Sequence, residues 1–341
     1  MSTTSQIFPN QKNAADEICF QFHNGANWVI LSAQMQMGKT DTFLTSATEL
    51  LISGYVDRVV ILCGSSDTSL KTDMVKQATH IHGKFWQAYI SNDPQKALAA
   101  SVVSGKIDVC FSQDFKKLKP SSERTFWIWD ESHYAQSQKQ RPDQILKKMD
   151  IDASGGPNRN GDIVLSVSAT GFSERIDNER LKQHKPVVCL EPGAGYISVQ
   201  TMRDDSQIVY MSKGVPAKRT VLNEALKRLV VEGVAIIRVT TKSKEWVTKI
   251  CEDAGFTKEN SGLATWYGDE KVVDINDYFN DKHEKYMERG VILLNGRVRM
   301  GKRLDNKTHI RFVMETTDSA KSDTVLQGLL GRMSGYKGNE D

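Results

Sequence analysis

The feature that most constrains the fold is a series of short apolar runs separated by stretches of helical character. Residues 28–33, 58–63, 107–112, 125–129 and 162–168 have strand length, and 40–52 and 70–80 have the amphipathic spacing of helices. Strands that are apolar throughout need cover on both faces, and alternation with helices supplies it. The pattern predicts an α/β fold built on a parallel sheet flanked by helices. At 341 residues the chain exceeds what one core ordinarily fills, so two domains are expected. The expected division gives residues 1–211 to the first and 212–341 to the second. In the second, 221–229 reads as a helix and 234–239, 291–294 and 310–313 read as strands.

Composition removes several classes. A hydrophobic share of 39%, with 12 Phe, 9 Tyr and 6 Trp, excludes a mostly disordered chain. Forty-five basic against 42 acidic residues leave a net charge of only +3, so any surface for nucleic acid must be a local basic groove. No apolar run approaches the ~20 residues of a membrane span. Residues 1–10 lack the basic and apolar blocks of a secretory signal. The five cysteines are scattered, with no CxxC pair, and read as reduced thiols. The expectation is a cytoplasmic monomer without a membrane partner, with room for a protein partner that supplies specificity.

What the strands run into carries the chemistry, because ligands of open α/β sheets bind beyond the carboxyl ends of the strands. The first run leads into Ala33-Gln34-Met35-Gln36-Met37-Gly38-Lys39-Thr40. This fits the phosphate-binding pattern GxxxxGK[ST], with Ala33 in place of the first glycine. Loop amides, including those of Gln36, Met37 and Gly38, would face phosphate at a positive helix end. Lys39 would reach the β/γ-phosphates of ATP, and the Thr40 hydroxyl would bind Mg²⁺. The fourth run ends in Asp130-Glu131-Ser132-His133. Adjacent carboxylates at the end of a buried strand are costly unless used. Beside a phosphate loop, Asp130 would hold Mg²⁺ and Glu131 would orient the attacking water. The fifth run ends in Ser168-Ala169-Thr170.

Loop, DESH box and Ser168-Ala169-Thr170 resemble motifs I, II and III of the superfamily 2 helicases of DExH/DEAD-box type. The resemblance extends to Phe8-Pro9-Asn10-Gln11 and to Gln327-Gly328-Leu329-Leu330-Gly331-Arg332, similar to motif VI. It implies two tandem RecA-like lobes, with Gln11 reading adenine and Arg332 serving as an arginine finger. It also implies that His133 and Gln327, with Ser168 and Thr170, couple hydrolysis to lobe movement. Gly335 stands where the family carries a second arginine. Motif V falls within residues 294–305, without a secure register.

Basic residues cluster at Lys116, Lys117 and Lys119, and at Arg297, Arg299, Lys302, Arg303 and Lys307. Such clusters neutralise phosphates. Ser65 and Ser112 sit where motifs Ia and Ib would fall, and their hydroxyls suit sugar–phosphate contacts. The expected activity is an ATP-dependent helicase or translocase. DNA is favoured over RNA because the box reads DESH rather than DEAD. An ATP-gated nucleic-acid-binding switch and a P-loop kinase or small-molecule ATPase stay open as alternatives.

Overall fold

The computed structural model describes residues 7–63, 68–91, 93–111, 114–130, 141–168, 172–183, 185–209, 211, 214–229, 231–267, 275–295, 304, 306–317 and 329–336. The chain divides into two compact units, Met1–Ala194 and Gly195–Asp341.

In the first unit the elements run α1 (Pro9–His23), β1 (Trp28–Ser32), α2 (Lys39–Ile52), β2 (Arg58–Cys63), α3 (Thr68–Thr79), α4 (Lys84–Ile90) and α5 (Pro94–Val103). They continue with β3 (Ile107–Phe111), β4 (Thr125–Asp130), α6 (Arg141–Lys148), β5 (Ile163–Ser168), α7 (Phe172–Arg180) and β6 (Val187–Cys189). Six parallel strands pair in the order β3-β2-β4-β5-β1-β6. The inner strands β2, β4, β5 and β1 are buried almost throughout, as their uninterrupted apolar runs require, whereas the edge strand β6 exposes two of its three residues. Trp28, Ile30, Val60, Trp127 and Val164 form one face of this core, covered by Ile145, Leu146 and Met149 at α6.

The amino-terminal edge of the sheet is tied by Asp162. Its carboxylate accepts the Thr125 amide at 2.8 Å and the Trp127 indole N–H at 2.9 Å. Burial still holds this carboxyl above the usual range, those two bonds opposing it.

The second unit contains β7 (Tyr196–Ile197), α8 (Val199–Asp204), α9 (Val215–Arg228), β8 (Gly233–Arg238), α10 (Lys244–Asp253), β9 (Leu263–Tyr267), β10 (Arg289–Asn295), β11 (Ile310–Glu315), α11 (Leu329–Arg332) and β12 (Gly335–Tyr336). Four parallel strands pair as β11-β8-β10-β9, with Leu222, Leu226, Trp246 and Val247 packed over Ala235, Ile237, Val291 and Leu293. Residues 195–211, assigned to the first domain from sequence, fall in the second unit. There Tyr196–Ile197 pairs antiparallel with Gly335–Tyr336, and the Tyr196 and Tyr336 rings meet edge to face at 5.3 Å. The chain is thus an α/β protein of two parallel sheets flanked by helices, as its sequence pattern implies.

Candidate functional site

The sheet order β4-β5-β1 makes the carboxyl ends of three strands neighbours. Ser32 pairs with Ser168 and Asp130 pairs with Val167, so Asp130, Ser168 and the loop leaving β1 share one edge of the first unit. The Ala33 amide donates to the Ser168 carbonyl at 3.2 Å, carrying the ladder one residue into that loop.

Residues 33–38 turn the chain from β1 into α2. Gln36 at φ 56° and Gly38 at φ 88° take left-handed backbone, which glycine adopts without steric cost. The Gly38 carbonyl accepts both the amide and the hydroxyl of Thr42 at 3.1 Å, starting the helix. Met37 is fully buried, and its sulfur accepts the Gln34 amide at 3.1 Å, so a thioether pins the loop from inside. Lys39 and Thr40, both half-buried, form the first turn of a 14-residue helix whose positive end faces the strand termini. Such an end suits an anion, and with Lys39 it suits a polyphosphate. The half-buried Asp130 and the Thr40 hydroxyl are hard oxygen donors of the kind Mg²⁺ takes.

Gln11, in the first turn of α1, is 2% exposed. Its Oε1 accepts the Phe8 amide at 2.9 Å, and its side chain hydrogen-bonds the Asp41 carboxylate. A Cβ at position 38 would meet Gln11 Nε2 at 1.8 Å, a second reason for glycine there. Burial pushes the Asp41 carboxyl up to about 6, the Gln11 bond acting in the opposite direction. Asp41 went unnoticed in the sequence, although a carboxyl directly after Lys39-Thr40 is a visible signal.

Behind this edge lies a buried polar chain that sequence reasoning also missed. Trp28 Nε1 donates to Ser166 Oγ at 3.0 Å, and that hydroxyl donates to Glu174 of α7 at 2.6 Å. The Lys185 ammonium stands 4.1 Å from the centre of the Trp28 ring. The helix that follows Ser168-Ala169-Thr170 is thereby tied to the strand that precedes it.

In the second unit the ends of β8 and β11 carry a comparable cluster. Arg238 pairs with Glu315 at 2.9 Å, and Glu315 also accepts the Leu329 amide of α11 at 3.3 Å. The Thr316 hydroxyl donates to the Arg238 carbonyl at 2.8 Å, and Lys218 donates to the Thr316 carbonyl at 2.7 Å. Burial holds Glu315 above the usual carboxyl range, with Arg238 and the Leu329 amide opposing. Arg332 of α11 is itself buried, at 1% exposure.

Lys116 and Lys117 form an exposed turn after β3. Lys148 of α6 donates to the Lys116 carbonyl at 3.1 Å, which brings the exposed Lys147 and Lys148 beside them. The structure therefore gathers Gln11, Gln36, Met37, Gly38, Lys39, Thr40, Asp130 and Ser168 at one edge of the first unit, and puts Arg332 in the second. Glu131, His133, Thr170, Ser65, Ser112, Arg297, Arg299, Lys302, Arg303 and Gln327 lie outside the described residues. Among the described residues no cluster of His, Cys, Asp and Glu forms a ready metal cage, and no helix is long and apolar enough to cross a membrane.

Residues 4–171 match the family model described as the type III restriction enzyme res subunit. They form a helicase superfamily 2 domain. The matched span holds the loop of residues 33–38, β4 and β5 together. The fold of the whole chain is similar to that of a single-residue variant of S. cerevisiae Dbp5 bound to RNA and ADP BeF3. That match has a TM-score of 0.53 at 12% identity, spanning 96% of this chain and 84% of that one. It is also similar to the DEAD-box helicase Mss116 bound to ssRNA and UDP-BeF. There the TM-score is 0.54 at 15% identity, spanning 95% of this chain and 67% of that one. At such identities the likeness is one of fold: two tandem RecA-like lobes, of which the superfamily 2 domain is the first. No curated protein matches the chain.

Proposed function

We propose that this chain is a nucleic-acid-dependent ATPase that uses hydrolysis to move along or unwind DNA. The observation that carries the reading is the shared edge of β4, β5 and β1, where Asp130, Ser168 and the Lys39-Thr40 helix start are neighbours. Superfamily 2 membership of residues 4–171 supports it.

The amides of Gln36, Met37 and Gly38 receive the phosphates, and Lys39 holds the β/γ pair. Mg²⁺ bound by Thr40 and Asp130 would neutralise charge on those phosphates. Glu131 orients the attacking water as general base. Arg332 stabilises the charge of the transferring phosphoryl group, so hydrolysis needs both lobes. His133, Ser168, Thr170 and Gln327 couple the phosphate site to lobe movement. Ser65 and Ser112, with Arg297, Arg299, Lys302 and Arg303, contact the sugar–phosphate backbone. The lysines at 116, 117, 147 and 148 extend that basic track. The structural relatives were bound to RNA, while the family match is to a restriction-enzyme subunit, and together with the DESH box this favours DNA.

The test is ATP hydrolysis with single-stranded DNA, duplex DNA, branched DNA or RNA, using Lys39→Ala as blank. Stimulation by DNA supports the reading, and stimulation by RNA alone reassigns the track. Hydrolysis indifferent to all four removes the motor. Glu131→Gln should bind ATP and hydrolyse it far more slowly; unchanged turnover would refute the base assignment.

A further inference from the structure

We propose that Gln11 positions the phosphate loop instead of reading the base, and that the chain selects its nucleotide by the triphosphate. The inference rests on the phosphate-site reading above. An amide that reads adenine must offer both its oxygen and its nitrogen to the ring edge. Here Oε1 already accepts the Phe8 amide at 2.9 Å. A carboxylate only accepts, so the bond to Asp41 consumes an N–H of Nε2. The same nitrogen fills the space a side chain at Gly38 would need, and the residue is 2% exposed. Turning Gln11 toward a base would strip the Asp41 carboxyl of this bond inside the fold and open the start of α1, both unfavourable. What the amide holds instead is the last loop residue, Gly38, and the first helical turn, Asp41, on either side of Lys39 and Thr40.

The experiment is displacement of a fluorescent ATP analogue by ATP, GTP, CTP, UTP and inorganic tripolyphosphate, with tripolyphosphate inhibition of hydrolysis as a second readout. In the wild type the four nucleotides should compete within about threefold of one another. Gln11→Ala should weaken all of them, and tripolyphosphate, by a common factor of about ten, the worth of one buried hydrogen bond. Gln11→Glu keeps the length and the acceptor for Phe8 but sets two carboxylates together. It should therefore weaken all of these ligands at least as much as Gln11→Ala does, while thermal melting shows that both variants still fold. A wild-type preference for ATP over GTP of about thirtyfold or more overturns the proposal without recourse to any variant. So does tripolyphosphate binding that Gln11→Ala leaves unchanged. Loss of all binding in Lys39→Ala keeps the phosphate-site reading standing even when the base comparison goes against Gln11. Binding indifferent to Lys39→Ala overturns both.

Discussion

Glu315, at the end of β11, holds the Arg238 guanidinium at the end of β8 at 2.9 Å, and the same carboxylate oxygen accepts the Leu329 amide. One side chain thus joins two strand ends to the short helix that carries Arg332. Neither residue belongs to a motif, and 76 intervening positions hide the pair from any local reading.

Removing one partner should cost more than removing both. Glu315→Ala leaves Arg238 and the Leu329 amide without their acceptor and should destabilise the second unit by about 2 kcal/mol. Arg238→Met with Glu315→Leu should recover part of that loss. A double-mutant cycle by chemical denaturation measures the coupling, and a value below about 0.5 kcal/mol would sink the claim that the pair anchors α11.

Asp41 should make stability depend on pH. Its carboxyl lies near 6 in the fold, above its ordinary value of 3.8, because burial disfavours the charged form. The folded state therefore binds the proton more tightly, so the contribution is fully present below about pH 4 and lost as pH rises through about 6. The loss amounts to at most about 3 kcal/mol. Asp41→Asn, which keeps an acceptor for Gln11, should melt higher than the wild type at pH 8 and match it at pH 4. Parallel melting curves across that range would contradict the assignment.

Asp162 offers a stability test remote from the carboxyl ends of the strands. Asp162→Ala strands the Thr125 amide and the Trp127 indole, both inside the sheet, and should cost about 2–4 kcal/mol in urea unfolding. Asp162→Asn retains one acceptor and should cost less. Equal losses in the two variants would show that charge, not hydrogen bonding, sets the contribution.

Thr40 and Asp130 should fail together in catalysis. Thr40→Ala and Asp130→Asn are each expected to slow hydrolysis by about a hundredfold while nucleotide still binds through Lys39 and the loop amides. Raising Mg²⁺ should restore part of the Thr40→Ala activity. If neither variant changes turnover, the metal-holding roles fall.

Much of the first unit was legible because its strands are buried on both faces, which writes them as unbroken apolar runs; residues 58–63 were expected as a strand and form β2. β6 was missed because it lies at an edge, with Val187 and Cys189 outward around a single buried valine. α9 starts at Val215, ahead of the residue 221 expected, since Pro216 opens the helix where proline needs no amide partner. The turn from β1 into α2 was readable because residues 33–40 are consecutive. The Trp28–Ser166–Glu174 chain was not, since a lone serine in an apolar strand looks like filler until the fold sets an indole and a carboxylate on either side of it.

The strand order has a consequence for how the chain is made. β5 is the fifth strand synthesised, yet it lies between β4 and β1. A nascent chain that ends before residue 163 holds β1 apart from the β3-β2-β4 group, with no strand to bridge them. The loop that leaves β1 therefore waits on the ribosome for residues far downstream, and its placement is a late, non-local step. Fragments cut short of β5 would carry every residue of the loop and still lack the strand that sets it beside Asp130.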